Sequence, residues 1–147
     1  MAALEVVALD PSIPQLRAPG PGDTYNMARR VSFAEGVQPR VVTVGSAILP
    51  LAWNSGQADI ILVTAQESEL TLAADSGQPI DGQKIIFRIK DNGTARPLSF
   101  AQGAPKSFRG VGFDLPVSTI AGKSTYIGCI YNAQDDRWDV IALGTAT

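Results

Sequence analysis

The side chains that most often carry chemistry close more routes in this sequence than they open. None of the 147 residues is a histidine. Histidine is the usual general base near neutral pH and the commonest neutral metal ligand, so Ser-His-Asp hydrolysis, Cys-His chemistry and His-containing zinc sites are excluded. The single cysteine, Cys129, has no partner for an internal disulfide. It lies in an alternating apolar segment with no neighbouring cation to lower its pKa, which makes it a small buried hydrophobe rather than a nucleophile. Ala121-Gly122-Lys123-Ser124-Thr125 ends like a phosphate-binding loop. That loop needs a first glycine where Val117 stands and a helix after the lysine, whereas the residues here read as strand, so a turn is expected. Gly103-Ala104-Pro105-Lys106-Ser107 fails in the same way, because proline and a missing second glycine leave no nest of amides.

Two carboxylate pairs could be drawn for acid/base work, Asp75 with Asp81 and Asp135 with Asp136. Each sits among Gly, Asn, Gln or Pro, where aspartate commonly accepts local backbone N–H groups, so turn duties are expected. Neither Asp91-Asn92-Gly93 nor Asp135-Asp136 has the ligand spacing of a calcium loop. Asn92-Gly93-Thr94 matches a glycosylation sequon and also reads as a turn. Trp53 and Trp138 read as packing residues rather than a sugar-stacking platform. No catalytic residue, metal or cofactor is expected, and the chain reads as a non-enzyme.

The elements that hold these residues follow from the surrounding pattern. With 45% hydrophobic and 18% charged residues and a formal charge of −2, the composition is that of one globular domain able to bury its own core. The largest basic group along the chain, Arg29-Arg30, gives no footprint for nucleic acid. No apolar run approaches the roughly 20 residues of a membrane helix, and Glu5 and Asp10 stand where a secretory leader would be apolar. Neither nucleic acid nor membrane is expected as a partner, and synthesis is expected in the cytoplasm.

Ten prolines and fourteen glycines cut the chain into short apolar-rich runs. These are Val41–Leu49, Ile60–Thr64, Leu70–Ala73, Lys84–Lys90, Arg96–Phe100, Gly110–Phe113, Thr125–Tyr131 and Trp138–Leu143. Such spacing predicts an all-β sandwich. Alternation is cleanest at Lys84–Lys90, with Ile85, Phe87 and Ile89 on one face and Ile86, Arg88 and Lys90 on the other. The Asp91-Asn92-Gly93-Thr94 turn predicts a hairpin into Arg96–Phe100. A second hairpin is predicted across Asn132-Ala133-Gln134-Asp135-Asp136. Ile60-Ile61-Leu62-Val63 is apolar on both faces, more than a single sandwich covers, which points to an interface or an overlying arm. Neither a fixed-period repeat nor a coiled-coil heptad is visible. Residues 1–30 carry Pro11, Pro14, Pro19 and Pro21 together with Leu4, Val6, Leu9, Ile13 and Leu16. They are expected to form an extended arm ahead of a β-sandwich domain at 31–147.

The segments Trp53-Asn54-Ser55-Gly56, Val63-Thr64-Ala65-Gln66, Asp81-Gly82-Gln83-Lys84, Ile89-Lys90-Asp91-Asn92-Gly93-Thr94-Ala95-Arg96, Tyr126-Ile127-Gly128, Tyr131-Asn132-Ala133 and Trp138-Asp139-Val140 resemble a β-domain common in tailed-bacteriophage virion proteins. Those include fibres, head fibres and capsid decoration or cement proteins. The resemblance implies a jelly-roll-like β-sandwich, assembly as a homotrimer, and a non-enzymatic decoration protein made in the host bacterial cytoplasm and placed on the capsid surface. Its partner would be the major capsid protein, met through the arm and the sandwich base. The expected contact residues are Leu9, Ile13, Leu16, Pro19, Tyr25 and Met27, with Arg17 and Arg29 pairing to acidic capsid groups. The competing expectation is a fibre-type module that reads a host receptor or glycan through loops at Asn54, Gln78, Asn132 and Asp135.

Overall fold

The computed structural model describes residues 38–47 and 49–147, and the expected arm lies outside the described residues. Eight strands follow one another: β1 (Val41–Val44), β2 (Ile60–Gln66), β3 (Leu70–Leu72), β4 (Lys84–Asp91), β5 (Leu98–Phe100), β6 (Ser107–Gly110), β7 (Ser124–Asn132) and β8 (Arg137–Thr145). They form a six-stranded sheet in the order β1-β2-β4-β7-β8-β6 and a two-stranded sheet of β3 and β5.

The all-β reading holds, but the sandwich and its jelly-roll form do not: the strands coil as a β-solenoid of about three turns. Strands β1, β2 and β4 lie parallel, each one coil after the last, with Val41 beside Ile60 and Ile60 beside Ile86. On the second sheet Leu51, Leu72 and Phe100 repeat the pattern, again in parallel. Successive coils are unequal. The step is 19 and then 26 residues on the first sheet, and 21 and then 28 on the second. Variable coil length is why no fixed period shows in the sequence.

The expected hairpin between β4 and the next strand is likewise replaced. Strand β5 pairs with β3, while β4 pairs with β7. The turn chemistry at Asp91-Asn92-Gly93 is present, with Gly93 at φ 97°, a conformation glycine adopts without the Cβ penalty. It turns a corner between sheets instead of reversing the chain. Two buried polar side chains build that corner, Gln66 at the end of β2 and Asp91 at the end of β4, paired in register. Gln66 Oε1 accepts the Ala47 N–H at 3.0 Å, and its amide donates to the Ser68 carbonyl at 2.9 Å. Asp91 accepts the N–H groups of Gly93 and Gly122 and the Thr119 hydroxyl, at 2.8–2.9 Å. These bonds supply what a buried polar group requires.

The predicted C-terminal hairpin is present. Strands β7 and β8 run antiparallel with Tyr131 opposite Trp138, and a bulge falls between Gly128 and Cys129. Strand β6 begins three residues before the expected run and pairs in parallel with β8. Between the sheets Ile61, Val63, Phe87, Ile89, Ile127 and Val140 meet Leu70, Leu72, Leu98 and Phe100. Both tryptophans belong to this core. Trp53 packs edge-on to Phe87 at 5.1 Å and lies 5.5 Å from Trp138, which in turn lies 5.3 Å from Tyr131. Edge and tilted contacts suit the ring quadrupoles.

Candidate interaction face

Because side chains alternate along a strand, the six-stranded sheet has one face in the core and one turned outward. The outward residues fall into rows fixed by register. One row crosses five strands without a polar side chain: Val41, Ile60, Ile86, Gly128 and Ala142. Val41 is 50% exposed and Ile86 42% exposed. Gly128 has a packing reason to be glycine, since a Cβ there would stand 3.3 Å from the Ala142 Cβ. The two small residues keep this end of the row low. The next row is Thr43, Leu62, Arg88, Tyr126 and Gly144. Lys84 faces outward opposite Ile130, and Lys90 opposite Ser124.

Beside the apolar row lies an open groove of about 670 Å3, lined among others by Arg40, Asp59, Ile60, Ile80, Lys84 and Ile86. Its wall is a fork-to-fork ion pair. Arg40 Nη2 and Nε donate to Asp59 Oδ1 and Oδ2 at 2.6 and 3.1 Å, and the Arg40 backbone N–H donates to Oδ2 at 2.8 Å. The side-chain hydrogen bond from Arg40, joined by its backbone N–H, lowers the Asp59 carboxyl to about 2. At the opposite edge Arg109 is clamped between Asp135 and Asp139, at 2.9 and 2.8 Å.

The carboxylates considered for acid/base work are all engaged structurally. Asp75 is buried and accepts the N–H groups of Ser55 and Gly77 at 3.0 and 2.8 Å and the indole N–H of Trp138 at 3.3 Å. Asp81 accepts the Ala133 N–H, and Asp136 accepts the Tyr131 hydroxyl. The Tyr131 phenol is pushed up to about 12 by that hydrogen bond first and by burial second. Asp91 is held below the usual carboxylate range. Burial is the largest influence and opposes ionisation, but the bonds from Gly122, Thr119 and Gly93 and the charge of Arg96 together outweigh it. Burial raises the Cys129 thiol. Among the described residues no group of three or more Cys, Asp or Glu side chains is placed to hold a metal ion.

The expected partner-binding residues Leu9, Ile13, Leu16, Arg17, Pro19, Tyr25, Met27 and Arg29 lie outside the described residues. Of the four loop positions considered for glycan contact, Asn132 and Asp135 come together, with the Asn132 amide 3.2 Å from Asp135 Oδ2. Asn54 turns back on the Gly56 N–H. The alternation that sets Ile86, Arg88 and Lys90 on one face and the two-faced apolar run Ile60–Val63 are the sequence signals of this surface, but cations two residues apart form no basic run along the chain and are gathered only by the pleat. The apolar row needs the strand register, which no local pattern carries. Comparison with protein-family models, with curated proteins and with solved structures finds no match to this chain.

Proposed function

We propose that this chain is a non-enzymatic structural protein of a tailed-phage particle, which decorates the head and stabilises neighbouring capsid subunits. The observation that carries the reading is the uninterrupted apolar row Val41–Ile60–Ile86–Gly128–Ala142 on the outward face of the six-stranded sheet. Contiguous exposed apolar surface of this kind marks interaction sites. Burying it contributes about 25 cal/mol per Å2, less ordering costs. The resemblance to phage virion β-domains agrees with such a role.

The test is occupancy on purified heads. The full chain should bind in a regular array and raise the temperature at which heads rupture. A chain lacking residues 1–30 separates the two proposed contacts: loss of all binding assigns the attachment to the arm, and partial retention assigns a share to the sheet face. Failure of the full chain to occupy heads under any condition would overturn the reading.

A further inference from the structure

The outward face carries more than apolar surface. Lys84, Arg88 and Lys90 all project from the same side of β4. Six residues of strand place the first and last about 20 Å apart. Lys123 stands at the entry to β7, next in sequence to the Ser124 that faces Lys90. The ion pairs among the described residues involve only Arg40 and Arg109. Lys106 and Arg137 donate to backbone carbonyls, and Arg96 donates to the Asn92 side chain. Lys84, Arg88, Lys90 and Lys123 have no such partner among the described residues. Among the described residues, the cations without an internal role are therefore gathered on and beside one face, in a chain whose net charge is −2.

We infer that this face docks an acidic protein surface, with the apolar row as the dry centre of the contact and the β4 cations pairing with carboxylates around it. The inference rests on the proposed virion role and specifies the chemistry of its partner. Charge decides against a second copy of the same face. An isologous contact would set these cations against their own images, and like charges facing each other across an interface are strongly disfavoured. The aliphatic groups decide against nucleic acid. Val41, Ile60, Leu62, Ile86 and Ile130 lie between and beside the cations, and a phosphate backbone gains nothing from burying them. An apolar row flanked by cations offers a protein partner both surface to bury and charges to pair.

The experiment measures binding of the full chain to purified heads as salt is raised from about 0.1 to 0.5 M, for wild type and for a Lys84→Glu/Arg88→Glu/Lys90→Glu variant. Wild type should weaken with salt. The variant should bind at least about tenfold more weakly with little salt dependence, since rim charges govern encounter and its screening. Heads whose exposed carboxylates have been amidated should lose wild-type binding to a similar degree. These positions are solvent-facing, so the variant's thermal unfolding should match wild type. Should it fail to fold, Lys84→Gln/Arg88→Gln/Lys90→Gln is read in its place, with about a threefold loss expected. Unchanged affinity of a folded variant overturns this inference while leaving the virion role standing. Absence of wild-type binding at every salt overturns both. Tighter binding to phosphatidylglycerol vesicles or to a 30-base-pair duplex than to heads, lost in the variant, overturns the protein partner in favour of lipid or nucleic acid.

Discussion

The two faces of strand β4 have the same backbone and alternate residue by residue, yet they answer to different physics. Toward the core, Ile85, Phe87 and Ile89 are almost wholly buried among aromatic rings and branched aliphatics. Toward solvent, Lys84, Ile86, Arg88 and Lys90 carry charge and one aliphatic group. The inner face is over-determined, because each side chain is buried in the shared hydrophobic core and any loss of volume leaves a cavity. The outer face is under-determined by folding, so its composition is open to selection by a partner. A substitution that changes stability reports on the first face, and one that changes only binding reports on the second.

The contrast should be largest at the aromatic centre. Trp138→Ala removes a fully buried ring packed against Trp53 and Tyr131 and takes a donor away from buried Asp75. A loss of about 4 kcal/mol is expected, read as a fall in the urea midpoint at unchanged slope. A loss under about 1 kcal/mol would mean that this ring is not a keystone of the aromatic cluster. Next comes the polar corner. Gln66→Leu keeps similar bulk but leaves the Ala47 N–H and the Ser68 carbonyl without their side-chain partner. It should cost about 2 kcal/mol in the same measurement.

Acid sharpens the comparison at Asp91 and Asp59, the second a surface residue. Both carboxyls titrate lower in the folded chain than their ordinary value, Asp59 at about 2. An unfolded aspartate titrates near about 3.9. A depressed folded pKa contributes stability that is present above the unfolded value and is lost as pH falls through the folded one. Stability should therefore decline from about pH 4 downward. Asp91→Asn should cost about 1 kcal/mol at pH 7, because one acceptor oxygen becomes a donor facing the Thr119 hydroxyl. The gap between variant and wild type should narrow as the pH approaches 2. Parallel curves in chemical denaturation from pH 7 to 2.5 would show that Asp91 acts by shape and not by charge.

How much of this was legible in the sequence divides along the same line. The inner face was legible at Lys84–Lys90, where alternation is a local signal, and so was the closing hairpin, where a polar five-residue stretch separates two apolar runs. In Trp138–Leu143 the alternation expected to put Ala142 beside Trp138 and Val140 holds only through Val140, because the bulge at Gly128 turns Ala142 outward. Parallel coiling was not. A corner residue such as Gln66 or Asp91 looks, in sequence, like any residue at a turn. Only its burial and its bonds to Ala47, Gly122 or Thr119, residues 19 to 31 positions away, distinguish a corner from a reversal. Coils of unequal length then hid the repeat. The outer face was half legible: its cations could be read from one strand, but the apolar row joins residues from Val41 to Ala142 and exists only once register is set.

The smallest effect on folding is expected at Ile86, and it discriminates best between the two faces. Thr shares the β-branch of Ile and suits a strand as well, so Ile86→Thr removes exposed apolar surface without disturbing the ladder to Ile60 and Gly128. Thermal stability should change by no more than about 0.5 kcal/mol, the usual range for a surface substitution. Occupancy on heads should nevertheless fall several-fold, because Ile86 stands at the middle of the row and its neighbours cannot close over the gap. If stability drops by 2 kcal/mol or more, the side chain is part of the core in solution and the two faces are not separable. If neither stability nor occupancy changes, the row is ordinary exposed surface, and attachment must come from the cations flanking it or from the arm.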